Sequence, residues 1–100
     1  MKTWLVRLIP PRPSFAEDIT PAEGAIMDSH AKYLQGLFER GVCLFGGPVF
    51  DPRGVYGIAV LVAEDEAAAR EFASADPCVK ARLQRVEIAE MRLAFPPRAQ

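Results

Sequence analysis

Alternating apolar and polar residues at the start of the chain predict a β-strand. Over residues 2 to 8, Trp4, Val6 and Leu8 fall on one side of this strand, as expected of a strand covered chiefly on one face. Three prolines follow within the next five residues. Proline has no amide hydrogen to donate to a neighbouring strand, so we expect a loop up to Ile19. A loop of this length is typical of a segment that covers a site, or of a plain surface connection.

A helix is predicted from residue 21 to residue 40, and its start carries a strong local signal. Thr20 and Glu23 have the spacing of a capping box, with a proline at the first helical position between them. Gly41 follows the helix as its expected terminating residue. Apolar residues recur along the helix at the spacings of one buried face, at Ile26, Met27, Leu34, Leu37 and Phe38.

Two further strands follow and are joined by a turn. The apolar run 42–45 predicts a strand that breaks near Gly46, since glycine weakens a strand and permits close approach by a ligand or by another strand. The segment Asp51-Pro52-Arg53-Gly54 has the residues preferred in a type I turn. The almost continuously apolar segment 55–63 then predicts a central strand that is antiparallel to its predecessor.

The remaining elements complete an alternation of strands and helices. An acidic run followed by strong helix formers predicts a second helix from about 65 to 74. Asp76 and Pro77 begin another helical turn that runs through Leu83, and the strand pattern returns at Arg85. The order β-α-β-β-α-β predicts an α+β fold of the ferredoxin-like type, with an antiparallel four-stranded sheet and two helices on one face.

The apolar residues of the last strand change phase. They occupy even positions at Val86 and Ile88, then odd positions from Ala89 to Phe95. A phase change of one residue turns side chains to the other face of a sheet unless a bulge absorbs it. Because the sheet face without helices needs a cover, we expect residues 89–95 to pack against a second copy of the chain in a homodimer. The end of the chain, from 95 to 100, is expected to be a flexible tail.

Length and composition predict one domain over residues 1–100. Half of the residues are hydrophobic (50%) and 25% are charged, which is the balance of a compact globular chain. The formal net charge of −1, without a basic run, argues against nucleic acid as a partner. No stretch approaches the roughly 20 apolar residues of a membrane span, and the N-terminus lacks the features of a signal peptide. We therefore expect no membrane partner and a cytoplasmic location.

The two cysteines do not indicate a metal centre. Cys43 lies in an apolar run and Cys78 follows Pro77, without the spacing of metal ligands. With a single histidine in the chain, a zinc or iron site is not expected. We interpret both cysteines as ordinary thiols and expect neither a metal nor another cofactor.

His30 is the one residue whose placement calls for a chemical explanation. It lies four residues after Ile26 and four before Leu34, which puts it on the inward stripe of the first helix. Imidazole changes charge near neutral pH, so a histidine in a cavity could act as general acid or base if a carboxylate fixed its tautomer. The alternative is a core histidine satisfied by a hydrogen bond.

Other candidates for a site around His30 each have a structural explanation as well. Asp76 and Asp51 are the possible carboxylate partners, although Asp51 opens a turn and Asp76 caps a helical turn. Tyr33 could line the same cavity or pack in the core. Gly47 and Pro48 belong to a segment where a ligand could approach the backbone closely. Arg7, Arg53 and Lys32 could each attract a carboxylate substrate, and the sequence does not select among them.

Taken together, these segments resemble the YCII-related family of small bacterial proteins. The resemblance covers nearly the whole chain and depends on the order of five segments rather than on any one of them. These segments are Ser29-His30-Ala31-Lys32-Tyr33-Leu34, Glu39-Arg40-Gly41, Gly47-Pro48, Asp51-Pro52-Arg53-Gly54 and Ala75-Asp76-Pro77-Cys78-Val79. Many family members carry an aromatic residue after the second Asp-Pro, where this chain has Cys78.

The resemblance implies a dimeric α/β barrel similar to that of the muconolactone isomerases, with an active-site cleft that contains a histidine and an aspartate. Carried over by position, the catalytic candidates are His30 and Asp76, with Asp51 as the second choice for the aspartate. Tyr33, Gly47, Pro48 and Asp51 are the candidates for substrate binding.

The function that this resemblance implies is proton transfer on a small organic acid or lactone, by an enzyme of the lyase, isomerase or dehalogenase type. Asp76 would orient His30, and His30 would move the proton. One fold hosts many functions, so two alternatives remain. The first is a dimeric module that binds a small ligand without turning it over, and the second is a purely structural dimer.

Overall fold

Four strands form one antiparallel sheet in the computed structural model, which describes residues 1–98. In chain order the strands are β1 (Lys2–Ile9), β2 (Cys43–Val49), β3 (Tyr56–Ala63) and β4 (Arg85–Met91). The helices are α1 (Phe15–Asp18), α2 (Pro21–Glu39), α3 (Glu66–Ser74) and α4 (Pro77–Lys80). The strands lie side by side in the order β2-β3-β1-β4. This arrangement confirms the predicted α+β fold of the ferredoxin-like type.

Side-chain caps explain where the helices begin. At the start of α2 the Glu23 amide donates to the Thr20 hydroxyl, and the Thr20 amide donates to the Glu23 carboxylate, so the predicted capping box is confirmed. Past the end of α2, Gly41 has a φ of 76°, a backbone conformation that glycine adopts without strain. Asp65 and Asp76 cap α3 and α4 in turn. Helix α2 therefore presents one long face to the sheet between two well-defined ends.

The loop after β1 is more ordered than its prolines predict, because it contains the short helix α1. Phe15 is buried with 6% of its surface exposed and anchors this turn to the protein. Arg12 holds the same segment from outside, since its guanidinium donates to Asp18 and, through two nitrogens, to Glu23. The loop is thereby fastened to the first turn of α2.

The core lies between one face of the sheet and the helices. Alternate residues of β1, Trp4, Val6 and Leu8, are buried there, as the alternation in the sequence predicts. The main cluster of buried residues comprises Val6, Leu8, Leu37, Cys43, Ala59, Leu61, Ala73 and Cys78. The opposite face of the sheet carries the intervening residues of each strand, and no helix of the described residues 1–98 covers it.

Strand β2 does not break near Gly46, so that prediction was wrong. The strand continues through the two glycines to Val49, and the irregularity in its pairing with β3 falls earlier, between Cys43 and Phe45. At Gly46 the two backbones come so close that a Cβ atom would lie 2.6 Å from the carbonyl oxygen of Ile58. Glycine at this position serves the close approach of two strands and does not end one of them.

The phase change in β4 is confirmed, but the strand is shorter than predicted. Its pairing with β1 is continuous from Arg85 to Met91, so no bulge absorbs the change. Val86 and Ile88 therefore face the helices, while Ala89 and Met91 lie on the opposite face. Leu93 and Phe95 lie beyond the strand, contrary to the extended pattern.

The predicted tail, 95–100, is described only in part. Residues 95–98 contain no helix or strand, and residues 99 and 100 lie outside the described residues. Within residues 1–98, no helix is both long and apolar enough to cross a membrane.

Candidate functional site

The structure brings His30 and Asp76 together across 46 residues of sequence. His30 projects from the middle of α2, and Asp76 is the residue that caps α4. The distance between Nδ1 of His30 and Oδ2 of Asp76 is 2.7 Å, and the two side chains are 14% and 3% exposed. The other oxygen of Asp76, Oδ1, accepts the backbone N–H of Cys78 at 3.1 Å. The cap therefore holds the carboxylate in place for the histidine.

This hydrogen bond determines which nitrogen of His30 is free. A carboxylate can only accept hydrogen bonds, so the Nδ1 atom of His30 must donate its proton to Asp76. In a neutral imidazole the second nitrogen, Nε2, then carries a lone pair and can accept a proton. The pair has the arrangement of a general base oriented by a carboxylate, the chemical role that the isolated histidine in the sequence suggested.

Cys78 is a third member of the cluster, and the sequence analysis did not place it there. Its sulfur lies 3.4 Å from Nδ1 of His30. Burial raises the pKa of the Cys78 thiol far above its ordinary value, and the neighbouring Asp76 carboxylate raises it further. A raised pKa disfavours the thiolate, which is the nucleophilic form of a cysteine. The position of Cys78 two residues after a helix-capping aspartate is the signal that could have placed it beside Asp76.

The second cysteine is remote from this cluster. Cys43 is buried in β2, where burial raises the pKa of its thiol as well. Both cysteines are free, in agreement with their interpretation as ordinary thiols.

The three residues could also be considered as ligands of a metal ion. One donor atom each from His30, Asp76 and Cys78 lies within 4.8 Å of the others. A metal ion bound through Nδ1 of His30 would displace the hydrogen bond that this nitrogen now makes to Asp76. The donor set fits the hydrogen-bonded cluster better than it fits a metal centre.

A cavity of about 310 Å³ lies beside His30. Its wall is predominantly apolar and includes Gly47 and Pro48 of β2, two of the residues proposed from the sequence for substrate binding. The apolar residues along the wall are Leu8, Pro10, Phe15, Ala16, Ile19, Met27, Leu34, Val55 and Ile58. Because Nδ1 is bound to Asp76, Nε2 is the ring nitrogen through which His30 can meet a molecule in this cavity.

The polar side chains that line this cavity are few. His30 and Gln84 are the polar residues whose positions face it, and Tyr56 borders it while its ring packs against the guanidinium of Arg7. Within residues 1–98 no lysine or arginine is among the lining residues. Neither Arg7, Arg53 nor Lys32 therefore lies on this wall to attract a carboxylate. Gln84 had no motif to mark it in the sequence, and it is identified only by its place in the fold.

Tyr33 lies close to the cluster but does not line the cavity. Its hydroxyl donates to the carbonyl oxygen of Phe72 at 2.7 Å. Burial raises the pKa of this hydroxyl, and the charge of Asp76 raises it further. This hydrogen bond joins α2 to α3, so Tyr33 has a structural role near His30 and is not placed among the residues of the cavity wall.

Asp51 lies elsewhere and is not brought to His30. Its carboxylate accepts from the backbone N–H of Arg53 at 2.8 Å and from the guanidinium of the same residue at 2.9 Å. It lines a different cavity, of about 460 Å³, together with Arg7 and Arg85. Of the two aspartates that the sequence left as alternatives, only Asp76 pairs with His30.

The sequence was compared with models of known protein families. The model of the YCII-related domain matches residues 3–92. The chain belongs to the YCII-related family. The comparison with curated proteins finds no match.

A solved structure with the same fold is a 5-chloro-2-hydroxyhydroquinone dehydrochlorinase from Burkholderia phenoliruptrix, in complex with 2,5-dihydroxybenzoquinone. The two chains superpose with a TM-score of 0.67 at 17% identity, over 90% of this chain and 93% of the other. At this identity the likeness shows the fold. It agrees with the predicted α+β fold.

Proposed function

We propose that the chain is a small enzyme of the lyase, isomerase or dehalogenase type, in which His30 transfers a proton on a small organic molecule. The observation that carries the proposal is the 2.7 Å hydrogen bond between Nδ1 of His30 and Asp76, at the wall of a cavity of about 310 Å³. A histidine buried only for packing needs a hydrogen-bond partner, but it needs no adjoining cavity.

In the proposed reaction His30 is the catalytic residue and Asp76 is its positioning residue. Nε2 of His30 accepts a proton from a C–H or O–H bond of the ligand, and the electron pair of that bond moves into a new double bond. Asp76 stabilises the imidazolium that forms. In an isomerisation an existing double bond of the ligand breaks as the new one forms, and the atom that receives its electron pair takes the proton from the imidazolium. In an elimination the bond to the leaving group breaks, the leaving group departs with that electron pair, and the imidazolium passes its proton to the leaving group or to water. Gly47 and Pro48 form part of the wall against which the ligand packs.

The resemblance implies an organic acid or a lactone as substrate, and the apolar wall of the cavity disfavours the acid. Transfer of a carboxylate into an apolar cavity costs free energy unless a cation pairs with it, and no lysine or arginine within residues 1–98 lines this one. The lining therefore favours a lactone or another uncharged ring. The dehydrochlorinase of the same fold acts on a hydroxylated ring according to its name, and we include that substrate among those to test.

A turnover screen tests the proposal directly. The protein is incubated with small unsaturated lactones and with 5-chloro-2-hydroxyhydroquinone, and product formation and chloride release are followed. We expect turnover of at least one compound and its loss in His30→Gln. Lys32→Gln is the matched control, because Lys32 is an exposed residue on the same helix. Turnover that persists in His30→Gln would exclude His30 as the catalytic residue.

The second candidate function is a module that binds a small ligand without turning it over. The apolar cavity favours it as much as it favours an enzyme, because a wall of this kind supports binding by itself. A binder gains thermal stability when ligand is added, by mass action alone. Ligand-induced stabilisation by compounds that the protein leaves chemically unchanged, equal in wild type and in His30→Gln, would favour this alternative.

We also propose that two chains form a homodimer through the sheet face without helices, as a dimeric α/β barrel. Leu5, Phe45, Ile58, Val62 and Met91 lie on this face by strand pairing and are partly exposed. An exposed apolar area of this kind is typical of an interaction surface. Leu5→Glu is expected to give monomers in light scattering, while Ala31→Glu on the exposed side of α2 is not. A Leu5→Glu protein that stays dimeric would contradict the proposal.

The remaining parts of the proposal concern extent and location. We propose one domain over the whole chain, working in a reducing compartment, the cytoplasm, where two free thiols are expected to persist.

A further inference from the structure

Gln84 is a buried polar residue whose side-chain amide lacks strong hydrogen-bond partners within the described part of the fold. Its surface is 8% exposed, and within residues 1–98 the other buried polar residue is Asp76. Its backbone N–H donates to the carbonyl oxygen of Cys78 at 3.0 Å, which fixes the residue directly after α4. Buried amide groups are normally hydrogen-bonded because an unpaired one costs free energy.

The hydrogen bonds of the Gln84 side chain do not match this burial. Within residues 1–98 its one side-chain hydrogen bond runs from Nε2 to the sulfur of Met27, over 3.6 Å. A thioether is a weak acceptor, and the amide oxygen has no partner in the described chain. In the described chain, every buried side-chain nitrogen or oxygen that is fully shielded from solvent has a hydrogen-bond partner. Since the amide oxygen of Gln84 has no such partner, it cannot be fully shielded and is accessible from the space beside it.

Gln84 borders two cavities, the one beside His30 and a second of about 490 Å³ that is lined also by Arg82 and Arg85. The contact of its amide with Met27 favours the cavity beside His30, since of the two cavities Met27 lines only that one. Met27 and His30 are three residues apart on α2, and side chains at this spacing lie on one face of a helix. Both line the cavity, as does Gln84 itself. Since Nε2 of Gln84 contacts Met27, the amide end of the side chain lies on the same side of the cavity as the histidine.

We propose that the Gln84 amide binds the polar edge of the ligand and holds it against His30. The class of ligand is a small ring that bears an uncharged oxygen, a hydroxyl or a carbonyl. A carboxamide can accept from a hydroxyl and donate to a carbonyl. It offers no net charge to an anion, and the other residues of the wall offer none from a lysine or arginine side chain.

The inference rests on the proposed site at His30, but it concerns binding and can be tested without turnover. The probes are phenol, benzene and benzoate, which share one ring and differ in the group that Gln84 would meet. Affinities are measured by NMR titration, with the side-chain amide signals of Gln84 and the ring signals of His30 as reporters. We expect phenol to bind about 5- to 10-fold more tightly than benzene, the amount that one hydrogen bond supplies. Benzoate should bind least tightly.

Gln84→Met is the decisive variant, because methionine keeps the length and packing of glutamine and removes its amide. The ratio of phenol to benzene affinity should fall to about 1, while the affinity for benzene stays the same. Gln35→Met is the matched control, since Gln35 is exposed on α2 and bonded to Glu39. It should leave all three affinities unchanged.

The outcomes separate this inference from the proposed enzymatic function. A loss of phenol preference in Gln84→Met supports the role of Gln84 even where no substrate is turned over. An unchanged preference overturns it even in a protein that turns over a lactone. Should the variant fail to fold, the wild-type titration decides: phenol must move the Gln84 amide signals more than benzene does. Tightest binding of benzoate, or no binding of any probe, also overturns the inference.

Discussion

The chain contains two Asp-Pro turns that are built alike and placed in opposite surroundings. In the first, Asp51 accepts the backbone N–H of the residue two positions later, Arg53, at 2.8 Å. In the second, Asp76 accepts the backbone N–H of Cys78 at 3.1 Å. The difference lies in the second partner of each carboxylate, which is the guanidinium of Arg53 in the first turn and the imidazole of His30 in the second.

The comparison shows what distinguishes a carboxylate that serves only its own turn from one placed to support a histidine. The Arg53 side chain is 90% exposed, so the first pair is formed in water and its charge is screened. Asp76 is 3% exposed, and its partner comes from a helix 46 residues away. The backbone hydrogen bond is common to both turns, and burial with a partner distant in sequence distinguishes the second.

The largest expected difference between the two turns concerns turnover. Asp76→Asn keeps the cap, because asparagine caps helices as well as aspartate does, but removes the charge that supports an imidazolium. We expect kcat to fall about 1,000-fold on the substrate found in the turnover screen, while Asp51→Asn leaves it unchanged. ¹⁵N NMR of His30 provides an independent measurement, since loss of the Nδ1–H form should accompany the loss of activity. Equal losses in both variants would contradict the assignment of Asp76.

A second difference should appear in the reactivity of a thiol placed after each turn. Cys78 follows the second Asp-Pro, and Arg53→Cys, made in a Cys78→Ala background, puts a thiol at the same position after the first. Burial raises the pKa of Cys78, so native Cys78 should react with a disulfide reagent at pH 8 more than about 100-fold more slowly than the thiol at position 53. The measurement is a stopped-flow absorbance trace, with unfolded protein as the reference. Comparable rates would mean that Cys78 is accessible.

A third difference concerns the free energy of unfolding. Asp76→Ala removes both the cap and the partner of a buried imidazole, so we expect a loss of about 2–4 kcal/mol in urea unfolding. Asp76→Asn, which keeps the cap, should lose less than Asp76→Ala. Asp51→Ala should shift the unfolding midpoint by a smaller amount, because its partners are exposed. A larger shift for Asp51→Ala would reverse the comparison.

The smallest expected effect is a pH dependence of stability that arises from the first turn. The hydrogen bond from Arg53 lowers the pKa of Asp51 to about 2. A folded-state pKa below the unfolded value contributes stability that is present above about pH 4 and is lost as the pH falls towards 2. Arg53→Met should move the ¹³C titration of the Asp51 carboxyl back towards its ordinary range and flatten this part of the pH profile. An unchanged titration would show that Arg53 is not the cause.

Most of the fold could be predicted from local signals, because its elements begin and end at residues with clear roles. The capping box at Thr20 and the glycine at position 41 define α2, and the phase change after Ile88 correctly indicates which residues of β4 face away from the helices. The helix α1 was not predicted. It forms because Phe15 is buried against the rest of the protein, which the local sequence does not display, while Arg12 fastens the loop to Asp18 and Glu23 only 6 and 11 residues away.

The site could be predicted only in part, for the same reason. His30 stood out as a polar residue on an apolar helix face. The choice between Asp51 and Asp76 could not be made from their neighbours in sequence, because both open an Asp-Pro turn. Gln84 has no local feature at all, and its burial depends on the packing of the segment after α4 against Met27. Long-range packing decides which residues meet, and a single sequence does not display it.

The two neighbouring glycines of β2 should respond very differently to mutation. A side chain at position 46 would meet the backbone of β3, with the nearest atom at 2.6 Å, whereas a Cβ atom at position 47 would have no neighbour within 4 Å. In a library of all single substitutions, selection for folded protein should deplete every replacement of Gly46 and retain many at Gly47. During evolution, substitutions at residue 47 can therefore alter the cavity wall, whereas the adjacent residue 46 must remain glycine.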